Sequence, residues 1–364
     1  MDQLITPPHV HHPCEKQKPE YPFDLSGKIS SSKSRLEFID LAKGICITLV
    51  VCFHGGAITW PLLLMLRMPL YFMLSGLFYK DYGGIINLVA KKIDKLIIPF
   101  LFFLTVTVLS GMILNRIFPA YTSVKFNDIT LFKPIPSPVY FLLCLFWDNI
   151  IFFVVRRLSK GIVQELTMIS IITAIGAFFT IKDIFLPLHL TSALMSIPFF
   201  YAGVQTRKIS TLQNNSKNHI RDILIFVISL LTVWGFGSYF SWPDIDMYKC
   251  HATLNDILIY IPLSIVMVYG FLHLCKVIKH IPILSYLGRY SIITLGIHNI
   301  ILGLIINSMK SITGIDSSWP GIIVTIFLCI LAIPIFRNIF PTMTAQKEIL
   351  TPILIKMKSS KSCV

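Results

Sequence analysis

The apolar residues of this chain fall into long runs separated by short polar interruptions. Ten runs approach the about 20 residues that an α-helix needs to cross roughly 30 Å of hydrocarbon. They cover residues 39–59, 60–79, 96–118, 138–155, 165–181, 184–204, 223–240, 256–274, 291–306 and 321–339. Only Lys182 and Asp183 divide the fifth run from the sixth. The pattern predicts an all-α, polytopic integral membrane protein of about ten transmembrane helices. Residues 1–38 mix Pro, His, Ser and Lys and lack the apolar core and small-residue cleavage site of a signal peptide, so an unstructured cytoplasmic tail is expected there. Residues 39–340 then form the membrane domain, and residues 341–364 a basic cytoplasmic tail.

Composition agrees, with 54% apolar and 14% charged residues over 364 positions. The net charge of +14 would suggest nucleic acid in a soluble chain; in a membrane chain the positive-inside bias is tested first. With the amino terminus inside, about 25 of the 32 Lys and Arg lie on the cytoplasmic side. The outer loops hold about six (Arg116, Lys125, Lys133, Lys182, Lys249 and Lys310), and Arg67 stays within a helix. The reverse orientation inverts that ratio. Both termini are therefore expected in the cytoplasm, with membrane lipids and not nucleic acid as the surrounding partner. Of eight cysteines only Cys250 falls in an outer loop, so no intrachain disulfide is expected. No repeat of the kind that marks a transporter is visible.

Ionisable side chains inside a bilayer are costly, which makes the few that occur there candidates for function. Lys43 and His54 are 11 residues apart, about three turns plus 20°, so both project from one face of the first helix, roughly 16 Å apart along its axis. Asp40 lies close to the same stripe. A neutral imidazole can take a proton from a hydroxyl that attacks a thioester, and a cation at the cytoplasmic end can hold the phosphates of coenzyme A. The same placing also suits a packed or interfacial histidine. Lys91, Lys92 and Lys95 lie near one face of a short cytoplasmic helix and suit ordinary positive-inside anchoring, anionic headgroups or a polyphosphate. Arg67 is placed to orient His54, to stabilise an oxyanion, or to snorkel to the outer interface. Asp148 is a carboxylate inside the fourth run that asks for a cation. The outer loop 241–255 carries Trp242, Asp244, Asp246, Tyr248 and His251, a set fit for stacking on a sugar or for interfacial anchoring. His189, His251, His273 and the sequence HVHH from His9 to His12 show no metal-ligand spacing, and no metal is expected.

Six segments carry a resemblance to a known family: RLEFIDLAKGICITLVVCFH at 35–54, MPLYFMLSGLFY at 68–79, KKIDKLIIPF at 91–100, PVYFLLCLF at 138–146, SALMSIPFFYAGV at 192–204 and LSYLGRYSIITLGIH at 284–298. In this order the chain resembles the integral-membrane acyltransferase family 3, from Arg35 to about Ile306, whose members look like O-acyltransferases of cell-surface glycans. The family pattern of an Arg, ten residues and a His is met with Lys43 at the Arg position and His54 at the His. Lys at that position is similar to a fucose or capsule O-acetylase branch. The exchange keeps the charge and loses the planar fork for bidentate phosphate contact. The resemblance implies His54 as catalytic base, Lys43 and the 91/92/95 lysines on an acetyl-CoA or other acyl-CoA donor, and Arg67 assisting. It places Ser75, Gly76 and His298 in the active region, with close helix packing as the equal alternative for Ser75 and Gly76; Asp40, Asp148 and Ser291, beside Arg289, are expected in the substrate region as well. The acceptor it implies is a glycan or lipid-linked oligosaccharide, and the location a bacterial inner membrane. A transporter or flippase of a lipid-linked sugar is the alternative that ten helices with scattered charges also suit. A glycan polymerase would need larger outer loops richer in Arg.

Overall fold

The computed structural model describes residues 36–117, 129–130, 132–135, 137–209, 218–313 and 318–353. Nearly all of the expected amino-terminal tail, most of the loop 120–137 and the end of the carboxy-terminal tail lie outside the described residues.

Each of the ten apolar runs overlaps one long helix: α1 (Glu37–His54), α2 (Pro61–Leu77), α4 (Ile98–Ile117), α5 (Tyr140–Leu158), α6 (Ile162–Ile181), α7 (Leu190–Thr206), α8 (His219–Tyr239), α9 (Leu254–Ile278), α11 (Ser291–Thr313) and α12 (Ser318–Ile339). Two shorter helices, α3 (Ile85–Lys92) and α10 (Pro282–Arg289), precede α4 and α11. No strand occurs among the described residues, only an isolated bridge between Asp246 and His251. Among the described residues six helical stretches are long and apolar enough to cross a membrane: Ile85–Arg116, Ile162–Ile181, His219–Tyr239, Leu254–Ile278, Ser291–Met309 and Trp319–Ile339.

Several boundaries differ from those read in the sequence. The basic stretch before the third run is not a separate cytoplasmic helix, because α3 runs into α4 through a π-helical turn, Ile93–Ile97. The sixth helix begins at Leu190 and not at 184, because Pro187–His189 form a tight turn in which Leu188 and His189 take φ of 54° and 57°. The amphipathic α10 was not anticipated as an element.

The main core wraps α1, whose Leu41, Ala42, Cys46 and Ile47 are fully buried against α2, α9, α10 and α11. Helices α6, α8 and α12 are peripheral and turn Phe178, Leu231 and Phe327 outward, as a lipid-facing shell requires. Glycines set the closest crossings. A Cβ on Gly44 would stand 1.8 Å from the Leu284 carbonyl oxygen, and one on Gly288 would stand 1.8 Å from that of Asp40, so α1 and α10 touch backbone to backbone. A Cβ on Gly76 would stand 1.9 Å from the Phe200 carbonyl oxygen and one on Gly203 1.9 Å from that of Met73, so α2 and α7 also touch backbone to backbone. Small residues at such crossings replace the hydrophobic drive that lipid does not supply. Further out, α8 and α9 are joined by a buried pair in which His273 Nδ1 lies 2.9 Å from Asp222 Oδ1.

Candidate active site

The carboxy-terminal end of α1 is fixed by its glycines. The Gly55 N–H bonds to the Val51 carbonyl at 2.9 Å, and Gly56 turns the chain away with φ of 72°. His54 is therefore the last residue of the helix and is exposed. Neither of its ring nitrogens has a hydrogen bond among the described residues, and its neighbour is a second imidazole, that of His298 on α11, with centroids 5.3 Å apart and planes at 49°. His298 is fully buried, and its Nδ1 stands 3.0 Å from the carbonyl oxygens of both Thr294 and Leu295. Its Nε2 has no hydrogen-bond partner among the described residues. The Arg67 guanidinium lies 3.6 Å from the centre of the Phe53 ring, next in the chain to His54, a cation–π stack that holds it within electrostatic reach of the imidazole. Arg67 is half-buried.

The amino-terminal end of the same helix gathers another group. The Asp40 carboxylate stands 3.9 Å from Arg289 Nε, the pair brought together by the Gly44–Gly288 crossing. Lys43 Nζ lies 5.8 Å from the centre of the Phe78 ring. The Tyr71 hydroxyl donates to the Lys43 carbonyl at 3.1 Å and has the Ser291 hydroxyl as its other neighbour. A second bond, from Cys46 Sγ to the Arg67 carbonyl at 2.7 Å, ties α1 to α2 midway. One helix thus carries two polar sites, Lys43 with Asp40 near its start and His54 at its end, on the face that the spacing of 11 residues predicts.

The other expected residues go elsewhere. Asp148 is fully buried on α5, and its two carboxylate oxygens accept from the Ser196 hydroxyl at 3.0 Å, so its partner is a hydroxyl and not the cation expected. Gly76 serves the α2–α7 crossing, with Ser75 half-buried beside it. Lys91 bonds to the Glu348 carboxylate at 2.5 Å, and Lys95 stands 3.3 Å from it and donates to the Ala345 carbonyl at 2.7 Å. Lys92 is half-buried between them. The loop 241–255 spends its polar groups on its own fold. Trp242 packs on Trp234, Tyr248 on Tyr140, and the Asp246 carboxylate accepts from the Tyr248 and Lys249 N–H groups. The Asp183 carboxylate, 2.7 Å from His251 Nδ1, holds that exposed imidazole above its ordinary range. Among the described residues no group of His, Cys, Asp and Glu converges as metal ligands.

An exposed imidazole beside a buried one, with a guanidinium in reach, is a constellation for proton transfer next to developing negative charge. Comparison with known families decides the class: the model of an acyltransferase domain, acyltransferase family 3, matches residues 36–336. The chain belongs to this family. No curated protein and no solved structure matches it. The matched span of this membrane acyltransferase opens one residue before α1 and closes within α12, so it contains both polar sites of α1 and the whole of α11. The partnership of His54 with His298 could not be read from the sequence, because no periodicity links side chains on the first and the penultimate long helix. The one available signal was a His at the end of each of the two motifs, IDLAKGICITLVVCFH and YSIITLGIH.

Proposed function

We propose that this acyltransferase moves an acyl group, acetyl in its specific form, from acyl-CoA to a hydroxyl of a cell-surface polysaccharide or its lipid-linked precursor. In this reading the chain crosses a bacterial inner membrane ten times with both termini in the cytoplasm, and the acyl-CoA donor approaches from the basic cytoplasmic side. The observation that carries it is the placing of His54 and Lys43 on one face of α1 with Arg67 stacked beside His54.

His54 acts as general base. It takes the proton of the acceptor hydroxyl as that oxygen attacks the thioester carbonyl carbon. The C–O bond forms, the C–S bond breaks, and the coenzyme A thiolate leaves and is protonated to the thiol. Arg67 faces the negative charge that gathers on the carbonyl oxygen. Lys43 holds a donor phosphate as a point charge, and Asp40, paired with Arg289, shapes the mouth on that side. Ser291 lines the same end, through its neighbour Tyr71. Lys91, Lys92 and Lys95 are a second set of cations on the donor's side, which a polyphosphate engages by displacing Glu348 from Lys91 and Lys95.

The test is the ester-linked acyl content of the surface polysaccharide, by mass spectrometry before and after mild base. It is measured in cells with the intact protein, without it, and with His54→Ala. Loss of one acetyl mass per repeat in both altered strains is expected. Unchanged acylation with altered polysaccharide export would replace this reading by a transporter of lipid-linked sugar.

A further inference from the structure

Resting on the reading of His54 as the base, the geometry points to His298 as a positioning residue that fixes the tautomer of His54 and shares the proton it receives. We infer that His298 Nε2 accepts a hydrogen bond from one ring nitrogen of His54, directly or through one water, which leaves the other His54 nitrogen unprotonated toward the acceptor hydroxyl.

The proton positions on His298 follow from its partners. Nδ1 faces two carbonyl oxygens, of Thr294 and Leu295, each at 3.0 Å, and a carbonyl only accepts. Nδ1 therefore carries the hydrogen, and Nε2 offers a lone pair. That lone pair sits on a fully buried side chain with no partner among the described residues, and an unmade hydrogen bond in such a place is costly. The ring of His54, 5.3 Å away between centroids and at the end of its helix, is the imidazole that stands beside it. A base with two equivalent nitrogens is useful only when the correct one is bare, and a fixed acceptor on the far side achieves this. The groups in electrostatic reach of His54 are His298 and Arg67. A proton arriving on His54 meets a like charge in Arg67, and the His298 lone pair is the neighbour able to share it.

The experiment compares His298→Leu, which keeps bulk and removes the acceptor, with His298→Gln, whose side-chain oxygen can stand near the Nε2 position. The readout is the initial rate of radiolabelled acetyl transfer from acetyl-CoA to endogenous glycan in membrane vesicles, at matched protein level. Thermal midpoint and size-exclusion profile of the extracted full chain serve as controls. With both variants folded, His298→Leu is expected to lose about 100-fold in rate, and His298→Gln to recover at least about tenfold of that loss. A His298→Leu rate within twofold of the unaltered protein overturns the inference. Equal loss in both folded variants also overturns it, by assigning His298 to packing alone. His54→Ala separates the two levels: retained transfer in that variant removes the underlying reading, whereas its inactivity beside an active His298→Leu removes only the role of His298.

Discussion

Lysine at position 43 supplies a charge without supplying a plane. Its ammonium lies 5.8 Å from the centre of the Phe78 ring, at the start of the helix that ends in His54. If its work is to hold a phosphate of the donor, a second cation serves nearly as well and a neutral side chain does not. Lys43→Arg is therefore expected to keep activity within about threefold, whereas Lys43→Met raises the KM for acetyl-CoA by about tenfold or more and leaves kcat nearly unchanged, the loss of one charge-assisted hydrogen bond. Initial rates over a range of acetyl-CoA concentrations separate the two. Glycines carry a different constraint. Gly288→Ala sets a Cβ 1.8 Å from the Asp40 carbonyl oxygen, a backbone atom that moves only if α1 and α10 part. The cost of such overpacking is about 1–3 kcal/mol. A fall in the thermal midpoint of the detergent-extracted protein is expected, with Gly235→Ala, whose new Cβ meets nothing within 4 Å, as the neutral control. The lysine was legible in the sequence because a charge in an apolar run stands out. The glycine's role was not, since the backbone it touches lies on an element whose packing only the fold reveals.

At the scale of elements, the junction of α3 and α4 holds the carboxy-terminal segment. The Asp94 carboxylate, in the π-helical turn, accepts from the N–H groups of Ile349, Leu350 and Thr351 at 2.9–3.2 Å, capping a short helical turn from another part of the chain. Lys91 and Lys95 bind Glu348 just before it. The basic tail expected after residue 340 thus begins as a docked strap. Burial of Glu348 opposes its charge, but the hydrogen bond and charge of Lys91, with help from Lys95, outweigh it and hold the carboxyl below its ordinary range. For a carboxyl with a lowered folded value, the stabilisation is complete above the unfolded value and is lost as pH falls through the folded one. Docking is therefore expected to be insensitive to pH near neutrality and to weaken only in acid. Glu348→Gln costs about 1 kcal/mol at neutral pH, seen as faster proteolytic clipping after position 340. The three lysines are legible in the sequence because they cluster; their partner is not, because the acid that meets Lys91 lies 257 residues away.

At the scale of the molecule, the described residues form ten long helices, of which six are apolar and long enough to cross a membrane. The four that fall short do so for identifiable reasons. Helices α2 and α7 have 17 residues each, α1 carries Glu37, Asp40 and Lys43, and α5 carries Asp148, Arg156 and Arg157. All four contribute heavily to the buried core, whereas the peripheral Ile162–Ile181 and His219–Tyr239 keep only 22% of their apolar window buried. A helix sheathed by protein needs no uniformly apolar surface, and its charges find partners there. The apolar runs therefore foretold the helices well, and apolar contrast is weakest in the helices that build the buried core.

Orientation is the step that this leaves for experiment, and parity makes it sharp. Lys160 and Lys182 flank α6, Lys182 and Lys249 lie on what the charge bias makes one side, and Lys279 follows α9; all four are exposed. Single cysteines at these positions, in a background without other reactive thiols, can be challenged with a membrane-impermeant maleimide in sealed spheroplasts. The positive-inside balance requires Lys182→Cys and Lys249→Cys to label from outside, and Lys160→Cys and Lys279→Cys to label only after permeabilisation. Labelling of positions 160 and 182 from the same side would mean that α6 does not cross. The count would then be odd and the termini would lie on opposite faces. His54 would keep its side, because α1 precedes the change, but α11 would be inverted against α1 although both frame the same pair of imidazoles. Because that inversion contradicts the packing of His298 against His54, the labelling of α6 also tests the geometry of the site.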